Sequence, residues 1–308
     1  MKLVRDTKFV GFPTQGAVVT IGNFDGLHLG HQQLINQAIQ LATAENLLSV
    51  VMSFSPTPRS FFDPSHCVPQ LQRISEKCLF LRAMNVDYLW CLRFTAKMAT
   101  MTAQQFVKQF LVDALSVKHI VIGDDFRFGA GRKGDVSLLK QLGLLYGFQV
   151  HEVAAIKDNA ERISSTRIRD VLKEGDMERA SQLLGRPYSI MSRVIYGDQR
   201  GREWGFPTAN LSVFRPIPAV QGIFAVKVSG EDFEAKGVAS IGFRPVFALK
   251  RPLLEVFILD FDRDIYGQRL VVDFLHKIRD EAHFDSVDLL IQRMHQDVAE
   301  ARAYFAAH

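Results

Sequence analysis

Residues 20–31, with the sequence TIGNFDGLHLGH, constrain the fold of this chain more than any other stretch. They follow the apolar run 17–19, which has the composition of a buried strand, and they precede residues 32–41, where apolar side chains recur at helical spacing. Glycine permits the positive φ angles and the close backbone approach that a tight turn requires. The stretch therefore predicts a strand, a tight turn and the beginning of a helix.

This turn has the features of a phosphate-binding site. The first N–H groups of a helix lack partners within the helix and attract anions, and His28 and His31 lie three residues apart at the helix entrance, where both can donate to one anion. A metal half-site or two surface histidines are the alternatives, but no cysteine or histidine close by in the sequence offers a third zinc ligand. The residues predicted to line the phosphates are Gly22, Asn23, Phe24, Asp25 and Gly26.

Composition limits the class of protein. A chain of 308 residues is long for one core, which favours two domains. The net charge of +4 is too small to indicate nucleic-acid binding but suits small anionic substrates. The 3 cysteines form no CxxC pair, which argues against a disulfide framework, and no apolar run approaches the ~20 residues of a membrane span. We therefore expect a cytoplasmic protein without nucleic-acid or membrane partners, and its oligomeric state stays open.

Predicted strands and helices alternate in the first half. The strands are nearly continuous apolar runs, which are typical of strands covered on both faces in a parallel sheet. They occupy residues 47–54, 87–92, 119–123 and 148–153, and helices are predicted at residues 75–85, 102–115 and 135–146. This alternation predicts a doubly wound α/β domain whose ligands bind beyond the carboxyl ends of the strands.

Residues 123–134, GDDFRFGAGRKG, follow one of these strands and predict a second part of the site. Phe126 or Phe128 can stack on a planar ligand, and three basic side chains can pair with its charge. These basic residues are Arg127, Arg132 and Lys133. A solvated surface turn is the alternative, but the position at the expected ligand edge favours a binding role.

Residues 163–169, ISSTRIR, place three hydroxyls ahead of a predicted helix at residues 168–174. An N-cap needs only one hydroxyl, so three of them beside two arginines favour phosphate binding. The residues concerned are Ser164, Ser165, Thr166, Arg167 and Arg169.

The chain changes character near Arg186, where we place the boundary between domains at residues 1–186 and 187–308. A short predicted helix, residues 177–184, is followed by Gly185 and Pro187, the usual order at a helix end. Short strands without helices between them then predict an antiparallel β-barrel or sandwich. The strands lie at residues 188–196, 222–228, 237–241, 254–259 and 270–274, and a terminal helix at residues 286–304 is predicted to pack on them through Val287, Leu290, Ile291, Met294, Val298 and Phe305.

Residues 197–210, GDQRGREWGFPTAN, form a glycine-rich loop within this half. Thr208 and Asn210 lie two positions apart on an extended segment and so present one oxygen each to the same side. Two neutral oxygens are sufficient for Mg²⁺ when nucleotide phosphates and water supply its other ligands. Judged from these residues alone, an ordinary β-turn is the alternative.

Taken together, these segments resemble the bacterial bifunctional riboflavin kinase/FAD synthetase family over nearly the whole chain. The first-half motifs are similar to those of FMN adenylyltransferases, and GRxxGFPTAN with the later LEV is similar to the motifs of riboflavin kinases. The resemblance implies ATP-dependent phosphorylation of riboflavin to FMN, adenylylation of FMN to FAD, and Mg²⁺ as cofactor.

The resemblance also implies roles for individual residues. ATP for adenylyl transfer would be held by His28, His31, Ser164, Ser165, Thr166 and Arg169. The flavin would lie near Asp125, Phe126 and Phe128. In the kinase, Glu255 would be the base for the ribityl hydroxyl, and Mg-ATP would be held by Gly201, Gly205, Pro207, Thr208 and Asn210, with Thr208 and Asn210 as metal ligands.

The sequence departs from the usual family pattern at Ser55, Trp204, Ser240, Val246 and Phe257. None of these departures removes a group named above. Two other functions stay open. One is another adenylyltransferase, acting on a pantetheine or nicotinamide nucleotide, with the β domain as a specificity module; the other is a β domain that responds to flavin without catalysis.

Overall fold

The computed structural model describes residues 1–5, 12–13, 15–65, 68–197, 200–213, 215, 217–243 and 252–308. The chain divides into two compact units, one made of Met1–Val68 with Ile74–Ser164 and the other of Pro69–Arg73 with Ser165–His308. The domain boundary that the sequence predicts near Arg186 stays a prediction. In the described parts of the chain, no helix is both long and apolar enough to cross a membrane.

The first unit is built on a sheet of six parallel strands. They are β1 (Lys2–Val4), β2 (Ala17–Ile21), β3 (Leu48–Phe54), β4 (Tyr88–Leu92), β5 (Val117–Gly123) and β6 (Gln149–Val153). Across the sheet the order is β1, β4, β3, β2, β5, β6, so the direction of winding switches between β2 and β5. Ligands of such sheets bind at this switch, beyond the carboxyl ends of the strands. The predicted doubly wound parallel sheet is confirmed.

Helices and turns connect these strands. They are α1 (Leu29–Ala44), α2 (Pro58–Phe62), α3 (Ile74–Ala83), α4 (Ala96–Ala99), α5 (Ala103–Phe106), a π-helix (Val107–Asp113), a 3₁₀ turn (Ala130–Arg132), α6 (Val136–Tyr146) and a hairpin of β7 (Lys157–Asp158) and β8 (Glu161–Arg162). Thr102 caps α5 as the sequence predicts, and Gln105 completes a capping box. The predicted helix at residues 102–115 is not regular, because its second half widens into the π-helix.

The core of the first unit covers both faces of the sheet. All residues of β2 are buried, as expected for a central strand of a parallel sheet. Val19 belongs to an apolar cluster with Phe106 on one face, whereas Val18 packs with Ala38 of α1 on the other. This double burial fixes the strand from which the turn at residues 22–28 departs.

The second unit is a closed barrel of six antiparallel strands with accompanying helices. The strands are β9 (Tyr188–Ile195), β10 (Thr208–Ser212), β11 (Gly222–Ser229), β12 (Glu234–Phe243), β13 (Pro252–Ile258) and β14 (Arg269–Arg279), and the helices are α7 (Ser165–Glu174), α8 (Met177–Leu184), α9 (Arg200–Glu203) and α10 (Val287–Ala307). Around the barrel the order is β10, β13, β12, β11, β14, β9. The predicted antiparallel barrel with a terminal helix is confirmed.

The beginnings of two elements in this unit differ from the prediction. Helix α7 begins at Ser165, so this serine and Thr166 lie in its first turn rather than ahead of it. Strand β13 begins at Pro252, since proline is tolerated at the first position of a strand. Glu255 therefore lies within β13 rather than opening it.

The contact between α10 and the barrel is also shifted along the helix. Val287 is 51% exposed, so the predicted apolar stripe does not begin there. The packing is centred on Ala301, with Val298 and Phe305 beside it. A small side chain at the centre lets the helix approach the strands closely, which the spacing of large apolar residues does not indicate.

Candidate active sites

The turn after β2 holds a strained but well-supported backbone. The N–H of Gly22 donates to the carbonyl of Met52 (3.1 Å), which connects the turn to strand β3. Phe24 and Leu27 have positive φ angles of 48° and 45°. Such angles cost about 1–3 kcal/mol each for residues other than glycine. Both side chains are fully buried, and this burial stabilises the conformation.

His28 is the N-cap of α1, and the cap determines which ring nitrogen carries the proton. Its Nδ1 accepts the N–H of His31 (3.4 Å), which assigns the proton of the neutral ring to Nε2. The two imidazole rings stack, with centroids 3.6 Å apart. A side chain at Gly30 would meet the ring of His28 at 3.3 Å, so the glycine leaves room for this arrangement.

His31 is a neutral ring with an unmatched polar atom. Its Nδ1 is buried and has no hydrogen-bond partner among the described residues. Burial lowers the pKa of His31 well below its usual value, and the charges of His28, Lys77 and Arg162 lower it further. Buried polar atoms are normally satisfied, so this nitrogen is a candidate contact for a ligand.

The turn at residues 22–28, together with His28 and His31 at the start of α1, is called the histidine turn below. The loop after β5 lies at the same edge of the sheet as this turn, because β2 and β5 are parallel neighbours. In this loop Asp125 forms an ion pair with Arg162 (2.7 Å), whose guanidinium also reaches Asp124 (3.4 Å). The carboxylate of Asp125, which is predicted to lie near the flavin, is thus at the topological switch of the sheet and is held by Arg162.

The two predicted flavin-stacking residues have different surroundings. The rings of Phe126 and Phe128 stack on each other, with centroids 5.4 Å apart. Phe128 is buried in the core, whereas Phe126 is only partly buried. Phe126 is therefore the better candidate for contact with a planar ligand. Of the nearby basic residues, Arg127 pairs with Asp135 (3.4 Å).

The predicted phosphate ligands in residues 164–169 are divided between the two units. Ser164 ends a segment of the first unit, and Ser165 and Thr166 open α7 in the second. Within the second unit, Nε of Arg169 donates to the carbonyl of Pro69 (2.6 Å), so part of this guanidinium binds backbone. The role of these residues toward a nucleotide stays a prediction.

In the second unit, the predicted kinase residues share one face of the barrel wall. Asn210 on β10 is the registered neighbour of Glu255 on β13, and Ser240 on β12 is its neighbour on the other side. Cross-strand neighbours have Cβ atoms roughly 4.5–5.5 Å apart. Leu254 and Val256 are buried inside the barrel, so Glu255 faces outward with Asn210. The register therefore brings these two predicted residues together.

Asn210 carries an unmatched oxygen at this site. Its Nδ2 donates to the carbonyl of Thr208 (3.3 Å), while its Oδ1 is buried without a hydrogen-bond partner in the described part of the chain. Gly197 lies so close to this amide that a side chain there would collide with it. An enclosed amide oxygen is a suitable ligand for a hard cation, so these residues fit the predicted Mg²⁺.

The loop before β10 is folded against the barrel by aromatic packing. The N–H of Phe206 donates to the carbonyl of Gly201 (2.7 Å), and Gly205 has a φ angle of 82°, which closes a tight turn. The ring of Phe206 packs edge to face on Phe257 (5.2 Å) and on His295 (4.8 Å). Phe257, one of the departures from the family pattern, thus supports this loop. Another departure, that at residue 246, lies outside the described residues.

The sequence does not predict two charged residues near these sites. Lys77 is buried beside the histidine turn. Glu281 lies against Gly242. Burial raises the pKa of Glu281, the charge of Arg279 lowers it, and the charge of Glu255 raises it further. The neighbouring sequence does not indicate a functional role for either residue, because a single lysine in a helix and a single glutamate in a loop are common in any protein.

Comparison with known proteins assigns both halves of the chain. A family model for FAD synthetase matches residues 13–167, and a model for riboflavin kinase matches residues 184–305. The bifunctional riboflavin kinase/FMN adenylyltransferase of Escherichia coli K12 is 41% identical over 307 residues, covering 99% of this chain and 98% of that protein. The chain belongs to the bifunctional riboflavin kinase/FMN adenylyltransferase family.

Two further proteins are similar to this family member over nearly its whole length. The Haemophilus influenzae relative of the same name is 41% identical over 308 residues and is covered to 99%. The crystal structure of a Streptococcus pneumoniae protein named macrolide-efflux protein has a TM-score of 0.84 and 34% identity, with 98% of both chains covered. A pantetheine or nicotinamide adenylyltransferase, or a non-catalytic β domain, is not supported, because models of the family's two enzymes match the two halves.

Proposed function

We propose that this chain makes FAD from riboflavin in two steps, each at its own site. The chain is a riboflavin kinase and an FMN adenylyltransferase, and both activities use ATP. One observation supports the assignment to two sites. Each compact unit contains its own cluster of candidate ligands, with nitrogen donors at the histidine turn and oxygen ligands on the barrel.

In adenylyl transfer, a phosphate oxygen of FMN attacks the α-phosphorus of ATP and pyrophosphate leaves. Negative charge develops on the phosphate oxygens, and preorganised donors stabilise such charge. His28 and His31 are the proposed donors, and the N-terminus of α1 adds N–H groups. The remaining proposed ATP contacts within the first unit are Gly22, Asn23, Phe24, Asp25, Gly26 and Ser164.

FMN is proposed to lie beside the loop after β5. Arg162 holds the carboxylate of Asp125, and the partly buried ring of Phe126 lies next to it in the chain. Phe128 supports Phe126 from the core by stacking on it. The proposal therefore keeps Asp125 and Phe126 as direct flavin contacts and gives Phe128 an indirect role.

In riboflavin phosphorylation, the primary ribityl hydroxyl attacks the γ-phosphorus of ATP and ADP leaves. Glu255 is the proposed acceptor of the hydroxyl proton, because its carboxylate shares a barrel face with Thr208 and Asn210. Thr208 and Asn210 would hold Mg²⁺, which neutralises phosphate charge when bound. Gly201, Gly205 and Pro207 shape the loop beside the nucleotide.

Chromatography of the flavin products tests this proposal. The purified protein is mixed with riboflavin, ATP and Mg²⁺, and FMN and FAD are separated over time. We expect FMN and ADP first, then FAD and pyrophosphate, and neither flavin product in excess chelator. Undiminished FAD synthesis in chelator would contradict the metal assignment. Turnover of a pantetheine or nicotinamide nucleotide in place of FMN would contradict the substrate.

A further inference from the structure

Lys77 is buried beside the histidine turn, where its amine binds backbone. It lies on α3 with 7% of its surface exposed, and its Nζ donates to the carbonyl oxygen of Asn23 (2.6 Å) and to Oγ of Ser53 (3.4 Å). Oγ of Ser53, on β3, donates to the same carbonyl oxygen (3.1 Å). The Asn23 carbonyl is therefore held by a helix and a strand that are both distant from it in the sequence.

A buried lysine at this position is costly. Burial lowers the pKa of Lys77 because an ammonium group loses its hydration, and the carboxylate of Asp25 opposes this shift. A methionine of similar length would fill the same space without the desolvation penalty. The amine thus adds nothing to the packing, and its specific contributions are the bonds to the carbonyl of Asn23 and to Oγ of Ser53.

The bond to Asn23 sets the direction of the next N–H group. In a planar trans peptide, the C=O of one residue and the N–H of the next point in opposite directions. Since the Asn23 carbonyl is directed at Lys77, the N–H of Phe24 is directed away from Lys77. Phe24 has a φ angle of 48°, a sparsely populated conformation that persists only with support from surrounding groups.

We propose that Lys77 is a positioning residue for adenylyl transfer, which holds the Asn23–Phe24 peptide so that the N–H of Phe24 binds a phosphate oxygen of ATP. The inference rests on the proposed assignment of the histidine turn to ATP. Lys77 acts through the turn and contacts neither nucleotide nor flavin. Its charge has a second effect, because Lys77, His28 and Arg162 are the charged neighbours that lower the pKa of His31.

Matched lysine variants test this role. Lys77→Met keeps the length of the side chain but removes its donor and charge, Lys77→Arg keeps both, and Lys118→Met changes an exposed lysine on β5 as the control. We expect Lys77→Met to lower kcat/KM for FMN adenylylation by about 10²-fold, which is a usual result of slight misplacement in an active site. We expect partial recovery in Lys77→Arg, no change in Lys118→Met, and unchanged riboflavin phosphorylation in every variant.

A titration of His31 measures the second effect of Lys77, which is that of its charge. The NMR signal of its Cε1–H, assigned by its loss in His31→Gln, gives the pKa with and without the lysine. We expect this pKa to rise in Lys77→Met, because one positive neighbour is removed while His28 and Arg162 remain.

Ser53→Ala is a second route to the same question, since it removes the other donor to Asn23 and leaves Lys77 in place. We expect it to lower adenylylation about fivefold, the equivalent of one neutral hydrogen bond. If Lys77→Met does not fold, Lys77→Gln, which shortens the side chain and removes its charge, takes its place, and unaltered adenylylation by the folded Gln variant rejects the proposal.

Two results with folded Lys77→Met would overturn the proposal. They are adenylylation close to wild type and an equal loss of riboflavin phosphorylation. His31→Ala separates this failure from a failure of the ATP assignment. Full adenylylation by His31→Ala would reject both proposals, whereas its loss beside an active Lys77→Met would reject only the role of Lys77.

Discussion

The histidine turn and the outer barrel face are both assigned to ATP, but they present opposite chemistry. The turn presents donors, which are the N–H groups at the start of α1, Nε2 of His28 and the ring N–H of His31. The barrel face presents oxygens of Thr208, Asn210 and Glu255. Donors bind phosphate oxygens directly, whereas oxygen ligands require a cation between themselves and the phosphate. On the proposed assignment, a metal would therefore be part of the binding surface at the barrel, whereas the turn would bind an anion without one.

The two sites also maintain their geometry in different ways. At the turn, the backbone at Phe24 and Leu27 is strained and depends on buried side chains and on the bond from Lys77. On the barrel, the regular register of β10 and β13 places Asn210 opposite Glu255. We therefore expect a substitution on the barrel to remove one chemical group and leave the others in place.

The largest expected effect is that of Glu255→Gln, which removes the proposed base and preserves the size of the side chain. We expect riboflavin phosphorylation to fall by ~10²–10⁴-fold, the usual contribution of a general base, while FAD is still made from supplied FMN. Binding of Mg-ATP should change little because Thr208 and Asn210 remain. Single-turnover phosphorylation of riboflavin measures the affected step.

Glu281→Gln is the matched control for this prediction, because it changes the neighbouring carboxylate and has the same chemistry of substitution. A phosphorylation rate within a few-fold of wild type in Glu255→Gln would remove Glu255 from the mechanism. An equal loss in the two variants would assign the proton to the carboxylate pair rather than to Glu255 alone.

At the turn, His28→Ala and His31→Ala should each lower FMN adenylylation by ~10²–10³-fold, since each removes a preorganised donor to transition-state charge. Riboflavin phosphorylation should persist because it uses other residues. His28→Ala should in addition lower the free energy of unfolding by about 1 kcal/mol, because it removes the N-cap of α1. Initial rates of both reactions, with urea unfolding of each variant, provide the measurement. Equal loss of both activities in a folded variant would contradict two separate sites.

The parts of this contrast that could be predicted from the sequence depend on neighbours along the chain. The strand, turn and helix at residues 17–44 follow from apolar spacing and glycines. The shared side of Thr208 and Asn210 follows from the twofold periodicity of an extended segment. In both cases the physical cause acts over a few residues, so a local sequence pattern is sufficient to predict the structure.

The parts that could not be predicted depend on contacts between distant residues. Lys77 binds Asn23, which lies 54 positions earlier. The sequence places Phe128 beside a ligand, but this ring packs near Phe106 in the core. The position of Glu255 between Asn210 and Ser240 follows from the register of the barrel, which local patterns do not specify.

The smallest expected effect concerns pH, and it is the contribution of His31 at the turn. Burial, with the neighbouring charges as a secondary cause, holds the pKa of His31 well below its ordinary value of 6.5. The unfolded chain protonates this histidine near pH 6.5, so below that pH the unfolded state binds one more proton than the folded state. Stability therefore falls as the pH is lowered from 6.5 toward the folded pKa.

His31→Gln should remove this part of the pH dependence, which amounts to at most about 1.4 kcal/mol per pH unit. Urea unfolding at a series of pH values, followed by the fluorescence of Trp90 in a Trp204→Phe background, reports the first unit because Trp90 is buried in its sheet. The reciprocal Trp90→Phe background reports the loop of the barrel unit through Trp204, and there His31→Gln should not change the slope. If the free energy of unfolding reported by Trp90 depends on pH equally with and without His31, burial does not hold this ring neutral. The histidine turn would then not differ from the barrel site through a pH dependence due to His31.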